Sequence, residues 1–255
     1  MIDQMIRCKN LDISDKIECL HQWFEKCPPQ GKEKHWVDGR SAKETAKHWA
    51  HTLPSQFLQM LNPFKLDYKI CSPEYVSDFD LYRGNGRNHD LLILAENDLK
   101  QEVVISIESK VDEPFDVTIA ERISAADIEL INKPNSKAKN RVEDLRVALF
   151  GNINVAQLSI RYQLLAGIAG LLAEAKKRNA KTAIFLVQTF VSSQINVNRH
   201  YQNQCDLGNF INLLSNGIYS KITEGIISGP IRVPGDSKLI LNNIDLWIGQ
   251  YMIPI

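Results

Sequence analysis

The chain has 255 residues, of which 44% are hydrophobic and 24% charged. This composition suits a folded globular protein and argues against extended disorder. Its 30 basic and 30 acidic residues cancel, which argues against a protein that coats nucleic acid through bulk charge but leaves a local basic groove open.

The five cysteines, Cys8, Cys19, Cys27, Cys71 and Cys205, include no CxxC pair. Neither a zinc ribbon nor a disulfide framework is expected, and a reducing, cytoplasmic setting fits. The opening segment MIDQMIRCKNLDISDK lacks an apolar signal core. The longest apolar run, Leu164 to Ala173, is about half of the roughly 20 residues a membrane span needs. It reads as a buried helix, and no membrane partner is expected.

In chain order, residues 12–26 read as an amphipathic helix, with Ser14 as N-cap and Ile17, Leu20 and Phe24 on one face. A polar loop spans 28–39. Residues 41–51 read as a second helix, in which Ser41 and Glu44 have capping-box spacing. Pro54 opens a third, 55–61. The segment LDYKICSPEYVSDFDLY has strand composition interrupted by Pro73, and RGNGRNH is turn chemistry. Residues 90–95 and 102–110 read as two strands of a hairpin. Helices follow over 117–131, 136–150 and 155–178, then an apolar strand over 181–190, a helix around 209–214, and two strand-like pieces, 229–233 and 239–248. The expected fold is α/β: one domain over 1–255, with a mixed sheet flanked by helices.

Side chains alternate across a strand. One face of 103–112 carries Val104, Ser106, Glu108, Lys110 and Asp112. The other carries Val103, Ile105, Ile107, Ser109 and Val111 and is expected on the core. Asp90 starts the partner strand, so a hairpin places it near Glu108 and Lys110. Two converging carboxylates suit a hard cation such as Mg²⁺. A neighbouring amine can orient a water or offset negative charge.

Asp90 followed by Glu108-Ser109-Lys110 at a strand end resembles the D…(E)xK signature of the PD-(D/E)XK nucleases, the superfamily of restriction endonucleases. The order of elements agrees over roughly 40–190, with extra helices, and His89 stands where the family usually has proline. The phrases SKVDEPF, NSKAKNRVEDLRVALFG and RYQLLAGIAGLLAEA resemble an uncharacterised bacterial branch with no established activity. The resemblance implies a restriction-endonuclease-like core and Mg²⁺- or Mn²⁺-dependent hydrolysis of DNA. Asp90, Glu108 and the Ser109 carbonyl would hold metal, and Lys110 would act on the attacking water. It makes Glu44 the candidate helical acid and Arg161 or Gln163 the candidate helical polar group. Restriction-type nucleases often act as dimers, so a homodimer is the assembly to test, although no segment identifies an interface.

Simpler readings stand beside these. Glu44 can be a cap partner, and Arg161 and Gln163 a surface pair at a helix start. Asp112 and Glu113 can open the next helix, where negative charge suits the dipole. His48 and His51 have zinc-ligand spacing but no evident third ligand. The basic residues Lys133, Lys137, Lys139, Arg141 and Arg146 line either a nucleic-acid groove or a solvated helix face. The glycines of LLAGIAGLLAEA permit close packing against the sheet. The rival functions are a non-catalytic relative that binds nucleic acid or protein, and a hydrolase of a small phosphorylated molecule.

Overall fold

The computed structural model describes residues 16–192, 197–236 and 238–255. Its centre is a six-stranded sheet built from β1 (Asp67–Ser77), β2 (Arg87–Glu96), β3 (Glu102–Lys110), β4 (Thr182–Val191), β5 (Ile227–Ile231) and β6 (Asp245–Pro254). The strand order is β1-β2-β3-β4-β6-β5. β1 to β3 form an antiparallel meander. β4 lies parallel to both β3 and β6, and β5 returns antiparallel to β6. The fold is therefore α/β with a mixed sheet. Pro73 does not interrupt β1, because β1 is an edge strand and a missing N–H is tolerated there.

Among the described residues seven α-helices cover the sheet. α1 (Leu20–Lys26), α2 (Ser41–Trp49) and α3 (Ser55–Leu61) lie on one face, where Trp49, Phe57 and Leu61 pack on Leu91, Ile93, Ile105 and Ile107. α4 (Ile119–Asn132), α5 (Ala138–Phe150), α6 (Tyr162–Lys177) and α7 (Val197–Leu214) cover the other, over Leu92, Val104, Phe185 and Val187. Among the described residues no helix is long and apolar enough to cross a membrane. Cys19, Cys27, Cys71 and Cys205 are free thiols.

Several boundaries differ from the sequence reading. α1 begins at Leu20, after an extended Cys19; Ser14 lies outside the described residues. Residues 155–178 are two elements, a 3-10 turn (Val155–Ser159) and then α6. Ile160 and Arg161 are extended, and Arg161 bridges Thr118, because Ile160 and Val117 carbonyls accept from the amides of Ile119 and Tyr162. α7 runs well ahead of Asn209. The last strand begins at Asp245, and 239–244 is irregular. β2 begins at Arg87 rather than Asp90, so the last three residues of the RGNGRNH segment are strand.

Candidate functional site

The alternation of β3 holds, but both of its faces are buried. Val103, Ile105 and Ile107 belong to the α1–α3 side, and Val104 to the α4–α7 side. β3 is a central strand with helices above and below, so the carboxylate of Glu108 (1% exposed) and the amine of Lys110 (6%) end under protein rather than in water. A solvated strand-end ion pair is thereby excluded.

Glu108 is met by two cations. Arg87 Nη2 pairs with Oε2, and Lys110 Nζ lies 2.8 Å from Oε1. The second contact is electrostatic rather than directional, since Oε1 is buried and accepts no hydrogen bond. Lys110 also stands 5.4 Å from the centre of the Phe115 ring. Arg87 is fixed by its surroundings. A Cβ on Gly170 of α6 would stand 2.8 Å from Arg87 Cβ and 3.0 Å from His89 Nε2. Only a glycine lets α6 approach this closely, which is the packing role expected of the LLAGIAG segment.

Asp90 sits where β2 breaks its alternation. Leu91 belongs to the α1–α3 core, yet His89, two residues earlier, packs against α6. A regular strand would put both on one side. The β2–β3 ladder stops at Leu91↔Ile107. Beyond it the Ser109 amide donates to Asp90 Oδ2 at 2.6 Å, so the carboxylate takes the place of a ladder carbonyl. Glu74 lies across from this break on β1, between the Pro73↔Leu91 and Tyr75↔His89 pairs, at φ +50°. Burial first, and the negative charge of Glu108 second, push the Asp90 carboxyl up to about 8 against the opposing charge of Lys110. Asp90, Glu108 and Lys110 therefore share one electrostatic environment.

The other expected residues divide. Glu44 is buried in α2, but its Oε1 accepts from the Gly39 amide and Lys47 Nζ, both at 2.8 Å. The capping box does not form. Arg40 is the N-cap residue, and the Ser41 hydroxyl donates to Glu113 Oε1 instead. None of Asp90, Glu108 and Lys110 is among the described contacts of Glu44. Arg161 holds Asp206 at 2.7 Å and the Asp116 carbonyl at 3.0 Å. Gln163 heads the α6 stripe that continues through Gly167, Gly170 and Glu174, over Arg87, His89 and Tyr75. Its Oε1 is buried and has no hydrogen-bond partner among the described residues. Ser109 turns its hydroxyl to the opposite face, where it accepts from Gln188 at 3.3 Å. His48 Nδ1 bonds the Glu44 carbonyl. Asp112 and Glu113 do not open α4, which starts at Ile119. Burial acts to raise the Glu113 carboxyl, but the Val111 amide and further donors outweigh it and hold the group below its usual range.

Sequence reasoning missed Arg87, Asn88 and Glu74. Arg87 and Asn88 fall in a segment rich in glycine and asparagine, whose turn signal outweighs the strand pattern. Asn88 Nδ2 donates to Glu74 Oε2 at 2.5 Å. His89 is fully buried between Ser106 Oγ (2.7 Å) and Ser77 Oγ (3.1 Å). Burial, aided by the charge of Arg87, holds it neutral.

Residues 16–251 match a family described as Domain of unknown function (DUF6946). The chain belongs to this family. No curated protein and no solved structure matches it. In this DUF6946 chain Asp90 and Glu108 are the acids of the β2–β3 end, with Glu74 across the break on β1. Among the described residues no three His, Cys, Asp or Glu side chains are grouped to hold a metal ion. Any cation bound there must complete its shell with backbone, water or substrate oxygens.

Proposed function

We propose that this DUF6946 chain is a metal-dependent nuclease that hydrolyses DNA phosphodiester bonds. Its core would be restriction-endonuclease-like, made from α2, the β1–β3 meander, α6 and β4. The observation that carries this reading is the pairing of Asp90 with Glu108 in a part-buried strand end, where their mutual repulsion helps to push Asp90 up to about 8. A divalent cation relieves that repulsion.

The donor set fits Mg²⁺ or Mn²⁺. Mg²⁺ is commonly bound through one or two carboxylates and keeps several waters or substrate oxygens. Glu108 Oε1, buried and without a hydrogen bond, has a lone pair to give. Asp90 and Glu108 are the ligands, with the Ser109 carbonyl as a third. When bound, the cation polarises a phosphoryl oxygen and acidifies a water. Lys110 orients the attacking water and offsets negative charge gathering on the phosphate. Gln163 offers its side-chain amide from α6 to position substrate. The free thiols favour a cytoplasmic setting; a homodimer rests on the family resemblance alone.

The test is cleavage of plasmid, linear and single-stranded DNA with Mg²⁺ or Mn²⁺. The wild-type chain cleaves at least one form, and Lys110→Ala loses about 100-fold or more, as removal of one aimed donor does elsewhere. Equal rates for the two proteins remove the mechanism. A second reading, a non-catalytic nucleic-acid-binding scaffold, draws on Arg87 and Lys110, which already neutralise Glu108 within the chain. Titration calorimetry selects it if Mn²⁺ gives no binding heat while DNA is still bound.

A further inference from the structure

A cavity of about 350 Å³ opens between the β1–β2 loop and the α4–α5 pair. Arg83, Arg122, Lys137 and Arg141 line it, with Glu129 the sole acidic lining residue. The four cations are not equivalent. Arg141 is held by Asp80, with Nη2 3.0 Å from Oδ1, and lies over the Phe79 ring. Arg122 lies over the Tyr162 ring, its guanidinium carbon 5.1 Å from the centre. Arg83, Arg122 and Lys137 have no acidic partner among the described residues, and Glu129 is already paired with Lys133 at 3.5 Å. The cavity therefore concentrates positive charge in a chain whose formal net charge is zero.

The basic run of α5 is divided by the fold. Lys139 pairs with Asp127 at 2.8 Å. Arg146 turns inward to Gln157 and the Asn154 carbonyl. Lys133 is taken by Glu129. Lys137 and Arg141 alone of the run face the cavity. Lys137 is also the N-cap residue of the 13-residue α5 and makes no capping bond through its side chain. The first-turn amides thus add partial positive charge to the same space.

The cavity lies at the end of the sheet where Arg87 begins β2, three residues before Asp90. Arg83 precedes Arg87 by four residues, which span at most about 14 Å. A nucleic-acid strand advances about 3.4 Å per phosphate along a duplex, so the two places are about four phosphates apart or fewer. We infer that this cavity docks a backbone phosphate of a nucleic-acid strand, a few nucleotides from the bond presented to Asp90, Glu108 and Lys110. The choice of a polynucleotide over a free anion rests on the nuclease reading of that site; the cavity and its charges do not.

The test is fluorescence anisotropy of labelled single- and double-stranded DNA with the full chain in EDTA, so that neither metal nor cleavage enters. The variant R83E/R122E/K137E reverses the three cations that lack an acidic partner. Its affinity falls about tenfold or more at low salt, and the slope of log K against log salt flattens by about 1, near 0.9 for the one phosphate that is no longer neutralised. Lys133→Glu and Lys139→Glu, on the same helices but outside the cavity, stay within about twofold. Circular dichroism and Tm check that these exposed changes leave the fold intact. Equal affinity and slope in wild type and triple variant overturn the assignment, as does equal weakening by the control variants or no DNA binding by the wild type. Saturable uptake of inorganic phosphate without DNA affinity gives the cavity to a small anion and likewise overturns it. The two readings fail separately. Cavity-dependent DNA binding without metal-dependent cleavage sinks the nuclease reading alone. Lys110-dependent cleavage whose DNA affinity ignores the cavity sinks this one alone.

Discussion

Glu108 and Asp90 are neighbours with opposite treatment: Glu108 is matched by Arg87 and Lys110, whereas Asp90 is left with an amide. A buried ion pair costs most when one partner is deleted, about 3–5 kcal/mol. Arg87→Met should therefore lower stability towards the lower end of that range, because Lys110 remains beside Glu108; urea unfolding measures it. Asp90 should behave in the reverse sense. Its folded pKa of about 8 stands above the ordinary 3.8, so between these values the folded chain holds a proton that the unfolded chain has released. Stability from this group is fully present below about pH 4 and falls as pH rises to about 8. Asp90→Asn keeps an oxygen for the Ser109 amide and removes the titration. At pH 8 it should raise Tm by ~5 °C, with the gain vanishing towards pH 4. A wild-type and variant pair whose Tm difference ignores pH would contradict the assignment.

At the scale of elements, the contact between α6 and β2 decides where the charged groups go. Helix propensity favours alanine over glycine by about 1 kcal/mol. At Gly170 the added Cβ would press within 3.0 Å of Arg87 Cβ and Cγ, atoms close to the backbone that cannot swing aside. Overpacking of this kind costs about 1–3 kcal/mol, so strain wins and Gly170→Ala should be destabilising. Calorimetric unfolding of the variant gives the sign. α4 shows the opposite case, in which local signals suffice. Thr118 and Glu121 form a reciprocal capping box at its start, and the helix begins where that pattern dictates.

Across the whole molecule, one sheet carries two apolar layers, one beneath α1–α3 and one beneath α4–α7. The charged strand end lies within this construction, so events there reach global stability. A cation that binds only the folded chain stabilises by RT ln(1 + [L]/Kd), about 2.7 kcal/mol at a hundredfold excess over Kd. On the proposed function, Mn²⁺ should raise the wild-type Tm, and more strongly at pH 8.5 than at pH 6, because a metal displaces the proton that Asp90 holds below about 8. Asp90→Asn should show a much smaller shift at both values. Differential scanning fluorimetry with and without Mn²⁺ reads both.

Local chemistry was enough to mark the strands of the β2–β3 hairpin, the α3 and α4 helices, the apolar β4 strand, and Glu108 with Lys110 on one side of β3. Each follows from a short-range rule: alternation, capping, or the turn joining two apolar runs. The rest depended on contacts between distant segments. Ser159 to Arg161 breaks a helical pattern because Arg161 pairs with Thr118. Arg87 belongs to a strand despite its turn-like neighbours because β1 and α6 hold it there. Asp90 leaves the regular alternation because its carboxylate completes the ladder at the Ser109 amide. The sequence alone determined which charged groups share a hairpin. Tertiary packing decided that they are buried and that the Asp90 carboxyl is pushed up, since desolvation and the approach of Arg87 to Glu108 arise only when the helices close over the sheet.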